Sequence, residues 1–150
     1  MEIKVSVEIK GALLKKMMSV PEEVATGITR AGMIRLVEAI EAKAVKLVPV
    51  RTSNLQRSIT SNVSPDGKKG EIRATAPYAK YVHEGTGLFG PFHQLIRPKT
   101  KKALFWPGAL HPVKSVKGQK PNPFFTRALA QVNPQEVFDA GIGGYLRKFA

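Results

Sequence analysis

Three histidines and a small set of carboxylates are the residues best suited to chemistry in this 150-residue chain. His83, His93 and His111 match no zinc-binding spacing, and the chain has no cysteine to complete a tetrahedral site. His83 and Glu84 are adjacent, but neighbouring side chains point apart on a strand and diverge by about 100° on a helix. They are therefore a poor acid/base pair.

The carboxylates offer no converging pair either. Glu38 and Glu41 fall on one face of a predicted helix, near Lys43 and Lys46, which indicates a solvated stripe. There is no nucleophile elbow, Walker-type phosphate loop or dinucleotide-binding glycine pattern. We therefore expect a protein that is not an enzyme and that uses no cofactor or metal. An enzyme with an unrecognised site ranks well below the other hypotheses.

Charge is the unusual property of the chain. Twenty-four Lys and Arg against eleven Asp and Glu leave a formal charge of +13, and no acidic residue lies between Glu84 and Glu136. A field of one sign attracts phosphate backbones, acidic proteins or anionic lipid, although a solvated face that keeps the protein soluble fits equally well. Besides Arg127, the window contains Arg97, Lys99, Lys101, Lys102, Lys114, Lys117 and Lys120.

The order of elements predicts one α+β domain over residues 1–150, with a long N-terminal helix packed on a curved antiparallel sheet and short C-terminal helices. Strict apolar and polar alternation over residues 3–9 predicts a strand. Pro21 and Glu22 mark the start of a helix that ends near Val48, before Pro49. Its apolar stripe includes Val24, Val37 and Ile40.

Several shorter elements complete this prediction. Turn residues between 65 and 70 predict a hairpin of residues 57–64 and 70–76. Phe105 and Trp106 are expected in the core, on one of three short strands. The remaining predictions are a short helix over 12–18, a helical or extended segment over 78–84, strands at 95–97, 103–106 and 111–116, and helices over 124–132 and from 134 towards 146.

The first residues contain no apolar segment of the signal-peptide type. No apolar run approaches the roughly 20 residues that a membrane helix requires. We therefore expect a soluble protein made in the cytoplasm, with no membrane partner.

Four stretches, in this order and spacing, resemble the tail-completion or head–tail connector proteins of tailed bacteriophages, which are also labelled neck or minor capsid proteins. The resemblance covers roughly residues 20–130. Ser53 stands where the family usually has glycine, and His83 where an acidic or polar residue is common. The stretches are AKAVKLVPVRTSNLQRSI (42–59), PYAKYVHEGT (77–86), IRPK with ALFWPG (96–99, 103–108) and VKSV with PNPFFTRAL (113–116, 121–129).

The resemblance implies a structural virion protein at the head–tail junction, made in the cytoplasm of the host bacterium. It implies a ring of identical subunits, between a portal-side adaptor or head-closure protein and a tail-tube or tail-terminator protein. The seven cations from Arg97 to Lys120 would then line a lumen crossed by DNA, or face an acidic neighbour. The predicted subunit or partner contacts, for which core packing is an equal alternative, are Tyr78, Tyr81, Val82, Glu84, Gly85 and Thr86.

The second hypothesis is a nonspecific nucleic-acid-binding module, because the net charge is large. It predicts DNA binding that collapses as salt rises. No predicted helix is basic along one face, so sequence-specific reading of a DNA groove is not expected.

Overall fold

The computed structural model describes residues 2–9, 21–49 and 53–150. These residues form two compact units. We call residues 2–76 with 124–150 the core unit, and residues 77–123 the arm unit. The predicted helix over 12–18 lies outside the described residues.

Among the described residues, the core unit contains three strands and four helices, and the arm unit contributes one short helix and a single 3-10 turn (Gly87–Phe89). The elements are β1 (Ile3–Glu8), α1 (Glu22–Leu47), α2 (Asn54–Arg57), β2 (Ile59–Val63), β3 (Lys69–Ala74), α3 (Ala79–Glu84), α4 (Phe124–Ala130) and α5 (Pro134–Leu146).

An antiparallel sheet with the strand order β1-β3-β2 underlies the core unit. Ile72 in the central strand lies opposite Val5 on one side and Ser61 on the other. The apolar residues of β1 are partly buried and the polar ones exposed, which confirms the predicted alternation. Helix α1 packs on β2 and β3, so the predicted α+β arrangement is confirmed.

Charged side chains of β1 and β3 form an ion cluster around Glu71. Its Oε1 lies 2.7 Å from Lys4 Nζ, and its Oε2 accepts a 2.7 Å hydrogen bond from Arg73 Nη2. These two donors, Lys4 first, lower the pKa of Glu71 to about 2. The cluster therefore ties β1 to β3 at neutral pH, and it loses strength as the pH falls from about 4.5 towards 2.

The buried surface of α1 is wider than the single stripe that the sequence predicts. Val37 and Ile40 are buried as expected, but Val24 is 43% exposed. Met33 and Leu36 are buried as well, because α1 packs on the sheet and also on α4 and α5. A helix with neighbours on several sides needs apolar residues beyond one stripe.

Glycine allows α1 and α5 to approach closely. A Cβ atom on Gly32 would lie 2.7 Å from the ring of Phe138, and one on Gly141 would lie 2.7 Å from the carbonyl oxygen of Ala31. Glycine has a low helix propensity, yet α5 is continuous through Gly141. Packing between the two helices therefore outweighs the low helix propensity of glycine.

Two polar contacts attach the segment after α1 to the helix. Glu41 accepts a hydrogen bond from the Ser61 hydroxyl on β2, so the expectation that Glu41 is part of a solvated stripe is wrong. Gln56 Nε2 donates to the carbonyl oxygen of Val45, 3.0 Å away, near the end of α1. The second contact gives a hydrogen-bond donor to one of the last four carbonyls of α1, which have no partner within the helix.

Ser53 precedes α2 in a left-handed backbone conformation, with φ 58° and ψ −3°. The resemblance to tailed-phage proteins implies a glycine at this position. An L-residue in this region is destabilised by roughly 1–2 kcal/mol, because its Cβ lies too close to the following carbonyl oxygen. Glycine has no Cβ and adopts the conformation without this strain.

We expect Ser53→Gly to raise the free energy of unfolding by about 0.5–1 kcal/mol, since relief of strain exceeds the added entropy of the unfolded chain. Urea unfolding at an unchanged m-value measures the difference. Ser53→Ala is the matched control, because alanine keeps the Cβ and therefore the strain, and the Ser53 side chain makes no capping hydrogen bond that alanine would lose. A Ser53→Gly protein less stable than the wild type would contradict this prediction.

Candidate functional site

The arm unit contains a long irregular hairpin rather than the three strands predicted for it. Only two isolated bridges form, between Ile96 and Val116 and between Leu104 and Val113. The prediction of strands was wrong because Pro98 and two further prolines at 107 and 112 lack the N–H group that a ladder requires. We call residues 96–116 the arm and residues 105–112 its tip.

Backbone hydrogen bonds close the base of the arm. The Thr86 N–H donates to the Gln119 carbonyl at 2.9 Å, and the Leu88 N–H donates to the Lys117 carbonyl at 2.8 Å. In return, the Gln119 N–H donates to the Thr86 hydroxyl at 2.9 Å. These bonds hold residues 86–88 beside residues 117–119.

Two glycines permit this close pairing. A Cβ on Gly118 would lie 2.1 Å from the Thr86 carbonyl oxygen, and one on Gly87 would lie 2.3 Å from that of Lys117. Both have positive φ, 89° and 63°, which glycine adopts readily. A side chain at either position would therefore separate the two segments.

A groove of about 990 Å³ lies within the arm unit, beside this base. It brings together four predicted contact residues, Tyr81, Glu84, Gly85 and Thr86, with one predicted cation, Lys99. Its other lining residues are Lys80, Gly87, Gly90, Pro91, Phe92, Gln94, Leu95 and Ile96.

The other two predicted contact residues do not line the groove. Tyr78 precedes α3 and is 39% exposed, whereas Val82 is buried. Within the groove, Gly85 is also buried, with a φ of 81°. Tyr78 and Tyr81 are therefore exposed, whereas Val82 and Gly85 are buried within the arm unit.

Most of the large apolar side chains that the described residues expose belong to the arm unit. Leu110 is 98% exposed and Phe105 is 68% exposed. The expectation that Phe105 and Trp106 lie in the core is wrong, because both sit beside the prolines and glycine of the tip. The other exposed apolar residues of the unit are Tyr78, Tyr81, Leu88, Phe89, Phe92, Leu95 and Ile96.

The arm unit is also strongly basic. It contains eight Lys and Arg residues, and Glu84 is its one acid. Lys80 approaches Glu84 at 3.9 Å, and Lys120 lies 5.9 Å from the ring centroid of Phe89. Among the residues that the structure describes, the seven cations predicted from Arg97 to Lys120 are all exposed, and none of them forms an ion pair.

Two of the three histidines of the arm unit, His83 and His93, interact with neighbouring groups. Burial lowers the pKa of His83, against an opposing effect of Glu84, and so favours its neutral form. His93 Nδ1 lies 3.1 Å from the Leu88 carbonyl oxygen. Across residues 2–9, 21–49 and 53–150, no three or more His, Asp or Glu side chains are placed to hold a metal ion. No helix in these ranges is long and apolar enough to cross a membrane.

The sequence pattern missed part of this surface. Phe92 and Leu95 in the groove, and Leu110 at the tip, were not predicted as contact residues. A signal is present in retrospect, because each of these apolar residues stands in a stretch rich in Pro and Gly, where a strand cannot bury it. A cluster of exposed apolar side chains of this size is typical of an interaction surface.

The protein is thus a basic α+β protein. Its irregular hairpin exposes apolar side chains together with positive charge, and such a surface is suited to assembly. A model of the family described as "Bacteriophage HK97-gp10, putative tail-component" matches residues 11–85, which is half of the chain. The chain belongs to this family, and the predicted resemblance to tailed-phage proteins is confirmed. No curated protein and no solved structure matches the chain significantly.

Family membership has two direct consequences. A structural tail component is part of the virion, and it contacts other virion proteins. The matched residues end at Gly85, after α3, so they include the groove's first wall but not the arm. The arm, and the groove residues from Thr86 onwards, therefore lie outside the family match.

We expect Gly118→Ala to speed amide hydrogen exchange at Thr86 and Leu88, because the added methyl group would separate the paired segments. Gly108→Ala is the matched control, since Gly108 also has a positive φ (94°) but has nothing within 4 Å of the added Cβ. Exchange followed by NMR measures both variants. Equal exchange rates at Thr86 and Leu88 in the two variants would contradict the pairing.

Proposed function

We propose that the protein is a ring-forming tail-completion subunit that joins the head and portal to the tail tube. The observation that supports this proposal best is the exposed apolar tip of the arm, with Leu110 98% exposed. An isolated soluble protein gains nothing from such a surface, whereas an assembly subunit buries it against a neighbour. Within the proposal, the whole chain acts as one connector domain.

The proposed neighbours lie on three sides of the subunit. Further copies of the chain complete the ring, a portal-side adaptor or head-closure protein lies towards the head, and a tail-tube or terminator protein lies towards the tail. The groove beside Tyr81 and Thr86 is suited to a protein segment, because its walls are mostly apolar and its charged side chains are few. In this proposal, the subunit lies at the head–tail junction.

The unpaired cations of the arm unit have two uses within such a ring. They would attract DNA weakly and without sequence preference as it passes through a lumen. They would equally attract an acidic surface on a neighbouring protein and guide its docking. Both uses require exposed charge, and all seven predicted cations are exposed.

A nonspecific nucleic-acid-binding module is the second candidate function. One observation favours it: exposed lysines and aromatic rings lie in the same arm, and aromatic rings stack on bases. In that case neutral replacements of Lys101 and Lys102 would weaken DNA binding and the function that depends on it, because phosphate contacts dominate such binding. Replacement of Leu110 would have a smaller effect, because this exposed side chain has no ring to stack on a base.

Electron microscopy of particles made without the protein tests the proposal. We expect separate heads and tails in place of joined particles, and restoration when the wild-type chain is supplied in trans. Infectious particles with normal tails, made in the absence of the chain, would contradict the proposal.

Two variant chains supplied in the same way separate the candidate functions. We expect Leu110→Ser to reduce joining strongly, because the apolar tip loses its contact while both aromatic rings are kept. Lys101→Gln with Lys102→Gln is the comparison variant in the same arm, and we expect it to reduce joining less. The reverse order would favour the nucleic-acid-binding module.

A further inference from the structure

A second groove, of about 400 Å³, lies within the core unit between α1 and α5. Four small or medium apolar side chains line it: Ala39 and Ala42 from α1, and Val137 and Ala140 from α5. Alanine leaves space beside a helix that a larger side chain from another protein can fill. The groove therefore presents an apolar floor of modest size.

The charged residues of this groove are mostly acidic. Glu38 on α1 and Glu136 on α5 are both exposed, and Arg35 is the third charged residue of the lining. Two carboxylates against one guanidinium leave the groove with a formal charge of −1. The arm unit has the opposite sign of charge, because it contains eight cations and one acid.

The tip of the arm has the complementary composition. Phe105, Trp106 and Leu110 are exposed there, and the Ala109 N–H donates to the Trp106 carbonyl at 3.0 Å, which folds the tip into a turn. Lys101 and Lys102 precede the tip, and Lys114 follows it. The tip is thus an apolar turn flanked by cations, and it complements the α1–α5 groove in both apolar character and charge.

We propose that the tip of the arm of one copy docks in the α1–α5 groove of a second copy. This proposal rests on the proposed ring of identical subunits. Two arms would repel each other, because each carries unopposed positive charge, so an arm-to-arm contact is disfavoured. An arm-to-groove contact joins two different surfaces. A pair of subunits joined in this way still has one free tip and one free groove, so further subunits can be added until a ring closes.

Cysteine cross-linking tests this contact cleanly, because the natural chain has no cysteine. A tagged chain with Leu110→Cys and an untagged chain with Ala42→Cys are supplied together to particles lacking the native chain. A short bis-maleimide is then added to the assembled particles. We expect a covalent product of one tagged and one untagged chain, which cannot arise within a single chain.

Asn62→Cys in place of Ala42→Cys is the matched control, since Asn62 is exposed on β2 and lies outside the groove. We expect the mixed product to be lost with this control. Absence of the product with Ala42→Cys, or equal amounts with Asn62→Cys, would overturn the docking. Transfer of the Leu110→Cys cross-link to a portal-side or tail-side protein would also overturn it.

Charge reversal gives a second measurement that needs no cysteine. We expect Glu38→Lys with Glu136→Lys to reduce the number of joined particles, and Lys101→Glu with Lys102→Glu on the same chain to restore it. Failure of the second pair to restore joining would count against the docking. Joined particles in the absence of the chain would remove the proposed function yet leave the cross-link unaffected, so the two failures are distinguishable.

Discussion

The arm unit depends on two backbone segments that approach more closely than side chains allow. Residues 86–88 and 117–119 share hydrogen bonds of 2.8–2.9 Å, and the carbonyl oxygen of Thr86 occupies the place of a Cβ on Gly118. Because this pairing fixes both ends of the hairpin, the residues between them can remain irregular. The apolar tip is therefore displayed by a closed base rather than by a continuous sheet.

The core unit also depends on glycine for a close approach between two segments. Helices α1 and α5 meet at Gly32 and Gly141, and the ring of Phe138 fills the space above the first of these. Close packing here leaves α1 able to contact the sheet on another side, where Glu41 meets Ser61. A rigid scaffold of this kind is suited to a virion component, which must hold its shape while neighbours attach.

Sequence patterns predicted the elements whose signals are local. Alternation in β1, the Pro21 and Glu22 start of α1 and the turn residues of the hairpin each reflect a short-range constraint, and each element is present. The family resemblance was also recognisable from short ordered stretches, and the family match confirms it.

Long-range effects were not predictable in the same way. The strands expected in the arm failed because apolar residues there alternate with proline and cations, and only two bridges form. Burial of Met33 and Leu36 depends on which elements surround α1, which no periodicity within the helix contains. The groove of the arm unit was predicted only in part, because Phe92 and Leu95 join Tyr81 through tertiary folding.

We expect the tip of the arm to contact protein in the assembled virion. An electron-microscopy reconstruction of the head–tail junction measures this directly. We expect density for Phe105, Trp106 and Leu110 to be enclosed by protein on all sides. A reconstruction in which these three side chains face solvent or the DNA lumen would contradict the claim.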